Sequence, residues 1–170
     1  MKSSMTPGGI GPKLALLYSP FIILSLIVMY SYPDFFDLRF LNFDFVKITG
    51  FVWSGAGFIF WITSAIFFLR HFKSGQLITT GLFGLCRNPI YSSIIVFIIP
   101  GLALVCHSGL VFSISLVLYI GFRISIHGED HVLKDNFGEE YENYKKSVNK
   151  IIPFPSHLIH GRAENQENKY

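Results

Sequence analysis

Charge is scarce in this chain: Asp, Glu, Lys and Arg make up 15% of its 170 residues, against about a quarter in an ordinary soluble protein. A fully water-exposed globular surface is hard to build from so little. The fourteen Lys and Arg against eleven Asp and Glu leave a net charge of only +3, and no basic stripe is interleaved with aromatics, which excludes a nucleic-acid partner. Cysteine is scarce as well. Cys86 and Cys106 lie in or beside apolar runs, so neither a disulfide framework nor a thiolate metal site is indicated. Apolar residues fill the space that charge leaves, at 51% of the chain with 18 Phe and a mean hydropathy of +0.45. This is the composition of a membrane protein.

Long runs without charge place the spans. Leu14 to Tyr32 is 19 residues, about 28 Å as a helix, which matches the hydrocarbon thickness. Pro20 sits two turns in, where a hydroxyl such as that of Ser19 can take up the carbonyl that proline frees. The run exceeds a usual signal-peptide core and Ser31-Tyr32-Pro33 lacks a small-x-small cleavage site, so the segment reads as a retained helix. The second run, Ile48 to Leu69, contains Gly50, Ser54, Gly55 and Gly57, small residues that let a neighbouring helix approach closely. From Asn88 to Phe122 there are 35 residues without formal charge, about 52 Å as one helix and too long for one crossing. The chain must turn, and Cys106-His107-Ser108-Gly109 has the turn chemistry. Pro89 to Cys106 and Leu110 to about Ile126 are then an antiparallel hairpin, with Pro100-Gly101 offering a kink.

The basic residues orient this four-span arrangement. With both termini on one side, twelve of the fourteen Lys and Arg fall there and only Arg39 and Lys47 fall opposite. The positive-inside rule therefore puts both termini in the cytoplasm. Asp34, Asp37 and Asp44, mixed with Phe35, Phe36, Phe40, Phe43 and Phe45, mark the first loop as an interfacial segment. Beyond the spans, Leu133, Phe137, Tyr141, Tyr144 and Val148 recur at helical spacing among charged residues, which predicts an amphipathic helix on the membrane surface with Gly138 as a weak point. The expected fold is all-α: a polytopic bundle of about four transmembrane helices plus a C-terminal amphipathic cytoplasmic helix. Residues 1–73 form an N-terminal membrane region, 74–154 a core, and 155–170 a polar tail.

Polar groups at the mouth of such a bundle are the functional candidates. One cluster is the Gly-punctuated loop from Gln76 to Tyr91, which leads into the third span with Pro89 at a helix start. The other is Arg123 with Glu129 and Asp130, at the end of the fourth span. The hairpin brings both to the same compartment. His127 and His131 are four apart, a spacing that can hold zinc, but no third ligand accompanies them, and no metal is expected.

Gly81-Leu82-Phe83, Arg87-Asn88-Pro89-Ile90-Tyr91, Glu129-Asp130-His131-Val132-Leu133, Phe137-Gly138-Glu139-Glu140-Tyr141, Tyr144 and Ile152-Pro153-Phe154, in that order around an apolar hairpin, resemble the isoprenylcysteine carboxyl methyltransferases and their bacterial relatives, which share features with phospholipid methyltransferases. The resemblance covers about Ser74 to Phe154. It implies a membrane enzyme using S-adenosylmethionine, with Gln76, Leu77, Ile78 and Phe83 lining the adenosyl side. Asn88, Pro89, Ile90 and Tyr91 would close around the cofactor, and Glu129 would meet its polar end. The chemistry is compatible: a sulfonium amino acid needs a carboxylate, a guanidinium (Arg87 or Arg123) and aromatic faces. The implied acceptor is lipid-like or prenylated and reaches the site through the membrane lipids. A carboxylate acceptor is already nucleophilic, so positioning and desolvation replace a general base.

The resemblance departs at three positions. Asn88 stands for the family's His, Ser93 for a Gly, and Ser125 for an Arg associated with the substrate, with Arg123 two residues away as the candidate acceptor contact. The acceptor's identity is therefore not carried over. Two other classes stay open on the residues alone: an NADPH-dependent sterol-type reductase, for which no extra Lys/Arg cluster is seen, and a non-catalytic membrane adaptor with the same scaffold.

Overall fold

A computed structural model describes residues 11–32, 36–37, 43–72 and 75–153. The expectations placed on Lys2, on Asp34, Phe35, Arg39 and Phe40 of the first loop, on Lys73, on Phe154 and on the tail 155–170 lie outside these residues. Four helices carry the fold: α1 (Gly11–Ser31), α2 (Phe43–Phe72), α3 (Pro89–Val105) and α4 (Gly109–Ser147). Three are long and apolar enough to cross a membrane, and α3 is a shorter apolar helix, rising about 25 Å. Among the described residues the only β pairing is an isolated bridge between Asp37 and Ser108.

The helices stand side by side in the order α2, α3, α4, α1. Gly11 at the start of α1 lies beside Tyr91 at the start of α3, and Phe67 near the end of α2 stacks on Phe83 just before α3. These segments share one end of the bundle with Phe122 and Ile126 of α4, which pack with Leu14, Ile95 and Ile151. At the opposite end, α3 turns into α4 through His107 at φ +50, and the Gly109 amide donates to Phe36 O at 2.8 Å. The chain thus enters and leaves the bundle at the same end.

Small residues set the closest approach, as their pattern in α2 requires. A Cβ on Gly50 would lie 2.7 Å from Gly101 O, one on Gly57 2.5 Å from Phe97 Cβ, and one on Gly101 2.6 Å from Ser54 N. Gly55 is different, with nothing within 4 Å. Both internal prolines are accommodated by hydroxyl or indole donors. Ser19 Oγ donates to Leu16 O at 2.9 Å, the carbonyl that Pro20 leaves without an amide. In α3 the residues Ser93–Ile98 widen into a π turn, where Ile99 N–H bonds Ile94 O. That shift, with Pro100 having no N–H, deprives the Ile95 and Val96 carbonyls of helical donors. Ser115 Oγ of α4 donates to Ile95 O, and Trp53 Nε1 of α2 donates to Val96 O at 3.0 Å.

The fourth span and the C-terminal helix are one continuous element. Its apolar part, 109–126, rises about 26 Å and suffices to cross the hydrocarbon. The helix then continues to Gly138, whose φ of 54° and ψ of −123° break it. These angles belong to glycine, and they turn the last segment back on the bundle. The apolar stripe read as a membrane-facing surface is therefore a small protein core. Tyr141, Tyr144 and Val148 are buried, with Leu77, Leu133 and Phe137 packed against them. Lys134 and Glu142 pair at 3.1 Å across the bend.

Candidate functional site

The loop before α3 is shaped by two left-handed glycines, Gly75 at φ 66° and Gly81 at φ 62°. Gly81 opens a single 3₁₀ turn, Gly81–Gly84, directly under the Phe67 ring, where a Cβ would sit 3.2 Å from ring carbons. Phe83 is buried with its ring centroid 6.2 Å from those of Phe67 and Phe68, and its carbonyl accepts the Tyr144 hydroxyl at 2.6 Å. Cys86 is fully buried. Burial pushes its thiol up to about 11, although the neighbouring Ser92 and the Asn88 backbone pull the other way. It is a packing residue in its protonated form.

The next two residues fasten the loop to the C-terminal segment. The Arg87 amide donates to Asn149 O at 2.8 Å, Arg87 Nε to Val148 O at 3.2 Å, and Asn88 Nδ2 to Lys150 O at 3.0 Å. Arg87 Nη1 also donates to the Tyr141 hydroxyl at 3.1 Å and lies 3.5 Å from Asp130 Oδ1. Tyr141 in turn donates to Asp130 Oδ1 at 2.5 Å, while Lys150 Nζ holds Oδ2 at 2.8 Å. Two cations and a phenol therefore surround one carboxylate, and the Arg87 and Asp130 side chains are only 8% and 12% exposed. Burial alone would raise the Asp130 carboxyl. The bonds from Lys150 and Tyr141, with the charges of Lys150 and Arg87, outweigh it and hold the group below its ordinary value. Burial and the bond to Asp130 push the Tyr141 phenol up, so it stays a donor at working pH.

The structure brings Arg87 and Asn88 together with Asp130, the carboxylate next to Glu129. Glu129 itself is half-buried, and helical periodicity puts it on the α4 face that carries the buried Phe122 and Ile126. Pro89 is fully buried at the helix start, Ile90 is half-buried, and the Tyr91 ring lies 5.2 Å from that of Phe122. Leu77 packs in the Tyr141 core, Ile78 is half-buried and Gln76 is exposed. Arg123 is not drawn into this group: it is exposed on α4, with Nη1 3.5 Å from the Tyr119 hydroxyl. His127 and His131 are exposed, and no group of three metal-ligating side chains occurs among the described residues.

Sequence reasoning missed two members of the cluster. Tyr141 reads as an interface anchor and Lys150 as one more positive charge. The signal for Tyr141 is its distance of eleven residues from Asp130 across Gly138, a bend that glycine permits. Nothing local marks Lys150.

Residues 48–140 match the sequence model of the phospholipid methyltransferase family, a match that takes in most of α2 as well as the hairpin and the acidic turn. Among curated proteins, a probable protein-S-isoprenylcysteine O-methyltransferase of Oryza sativa subsp. indica is 33% identical over 79 residues, 46% of this chain and 41% of that protein. Protein-S-isoprenylcysteine O-methyltransferase B of Arabidopsis thaliana is 27% identical over 86 residues, 51% of this chain and 44% of that protein. The chain thus spans less than half the length of these relatives. No solved structure matches it.

Proposed function

Because this chain belongs to the phospholipid methyltransferase family, we propose that it is an integral membrane enzyme that uses S-adenosylmethionine to methylate a membrane-embedded acceptor, with an isoprenylcysteine-like carboxylate as the first candidate. The observation that carries this reading is the stitching of the Gln76–Tyr91 loop to the Glu129–Asp130 turn through Arg87, Asp130, Tyr141 and Lys150. Two segments far apart in sequence, each with the residue types a sulfonium amino acid needs, are held as one unit at one end of the bundle.

The residues present fit the cofactor's positive end and its adenosyl group, while the Arg87 guanidinium is committed to Val148 O, Tyr141 and Asp130. Asp130 is held by Arg87 and Lys150, and Glu129, on a different face of the same helical turn, is the carboxylate that the resemblance directs toward the cofactor's positive end. Half-buried Leu77 and Ile78 supply apolar surface for the adenosyl group, Phe83 is buried against Phe67 and Phe68, and Gln76, Asn88 and Tyr91 supply polar contacts. S-adenosylmethionine, when bound, provides an electrophilic methyl group on a positive sulfur. The chain's own part is to bind, to align the acceptor and to exclude water. A carboxylate acceptor asks for no proton transfer from the protein. Placing the site in the cytoplasm follows from the positive-inside rule, and Arg123, exposed at the membrane end of α4, is the cation offered to an anionic acceptor.

The test is calorimetric titration of detergent-purified protein with S-adenosylhomocysteine, beside NADPH and a Glu129→Gln variant. Micromolar binding that collapses in the variant supports the cofactor and its anchor, after which labelled methyl transfer to prenylcysteine and to phospholipids identifies the acceptor. A folded sample that ignores S-adenosylhomocysteine overturns the proposal. An NADPH signal would then select a reductase, and silence to both an adaptor.

A further inference from the structure

Lys150 occupies a position that no local motif marks. Its backbone carbonyl accepts from the Asn88 side chain at 3.0 Å, and its ammonium holds Asp130 Oδ2 at 2.8 Å. One residue thus touches both halves of the candidate site: the last loop residue before Pro89 and the carboxylate next to Glu129. Arg87 and Tyr141 take the other oxygen of the same carboxylate, so Asp130 is gripped from two sides and cannot rotate without losing a partner. The segment that delivers Lys150 arrives only because Gly138 reverses the chain and Tyr141, Tyr144 and Val148 pack it down.

We propose that Lys150 is a positioning residue of the methyl-transfer site, setting the separation between the Asn88–Tyr91 loop end and Glu129 by bonding to both sides of the gap. The proposal rests on the reading of the site as one for S-adenosylmethionine. Lys150 touches neither cofactor nor acceptor in this scheme. Its ammonium holds Asp130 and thereby the turn that carries Glu129, while its carbonyl fixes the side chain of Asn88. Because the Lys150 and Asp130 side chains are 19% and 12% exposed, solvent screens the pair less than it would a surface bridge.

The experiment compares full-length wild type with Lys150→Met, Lys150→Arg and, as a control, Lys145→Met, an exposed lysine on the same segment. Lys150→Met should weaken S-adenosylhomocysteine binding about tenfold and raise the donor's KM in step, the scale expected when a binding geometry is loosened. Lys150→Arg should restore most of the affinity, and Lys145→Met should leave it unchanged. Unaltered affinity in folded Lys150→Met, whatever its melting temperature, overturns the positioning role, whereas failure of wild type to bind overturns the reading of the site instead. Should Lys150→Met not fold, hydrogen exchange on wild type decides. S-adenosylhomocysteine should protect amides of 76–88 and 149–151 together, and protection of the loop alone would show that the two segments are not one unit.

Discussion

Trp53 of α2 donates its indole N–H to the Val96 carbonyl of α3 at 3.0 Å, a carbonyl that Pro100 leaves without an amide. Ser115 of α4 does the same for the adjacent Ile95 carbonyl. The irregular middle of α3 is therefore satisfied from both flanking helices, which is how a bilayer tolerates such a segment. Trp53→Phe and Ser115→Ala should each destabilise the protein by about 1 kcal/mol, measured by unfolding in mixed micelles. Their effects should also couple in the double variant, since the two carbonyls belong to one π turn.

Gly55 and Gly57 are two residues apart in α2 and should respond oppositely to alanine. At Gly57 the new Cβ would stand 2.5 Å from Phe97 Cβ and 3.0 Å from the Ile98 amide nitrogen, so α2 must move off α3 and the melting temperature should fall. At Gly55 nothing lies within 4 Å, and the gain in helix propensity, up to about 1 kcal/mol, should leave stability equal or higher. Thermal melts of the two variants in one detergent are the check.

Acid should loosen the site through Asp130. Its carboxyl is held below the ordinary value in the folded protein, so its stabilising contribution is complete above the unfolded value of about 3.9 and is lost as pH falls through the folded one. Wild type should therefore melt at a nearly constant temperature from pH 8 to about 5 on this account and lose stability at lower pH. Asp130→Asn should start lower and fall less steeply over the acid range. Parallel curves for the two proteins would remove Asp130 from the explanation.

The two cysteines report the orientation of the bundle. Cys106 is exposed at the α3–α4 turn, while Cys86 is buried at the end that carries the candidate site. A membrane-impermeant maleimide applied to intact cells should label Cys106 and spare Cys86, because the former is expected outside and the latter lies packed with its thiol protonated. Labelling of Cys106 only in inverted vesicles would reverse the sidedness inferred from the basic residues.

The parts of this fold that were readable in the sequence are those governed by local physics. Uncharged runs locate the helices, Cys106–Gly109 carries the turn between α3 and α4, Ser19 relieves Pro20, and Gly50 and Gly57 mark a close contact. The π turn in α3 was not readable, because it depends on Trp53 and Ser115 donating from other helices. Nor was the fold-back after Gly138. A stripe at helical spacing looks the same whether it meets lipid or protein, and only the buried Tyr141 and Tyr144 decide between them. In the candidate site the hairpin accounts for Arg87 lying near the Glu129–Asp130 turn, while the direct pairing of Arg87 with Asp130 is visible only in the structure. The hairpin does not account for Lys150, since its role is created entirely by where the chain returns.

One consequence follows from the unbroken course of α4 past the membrane. Ile126, 1% exposed, ends the apolar stretch, and Asp130 stands four residues further along the same helix, about 6 Å by helical rise. With no joint between them, the height of the candidate site above the hydrocarbon is fixed like a mark on a ruler driven through the bilayer. A lipid whose reactive atom rests among the headgroups meets that mark where it already lies, whereas one whose reactive atom sits deep among the chains would have to be lifted out of its leaflet. If the proposed methyl transfer takes place at this site, the helix sorts acceptors by depth before any side chain reads their chemistry.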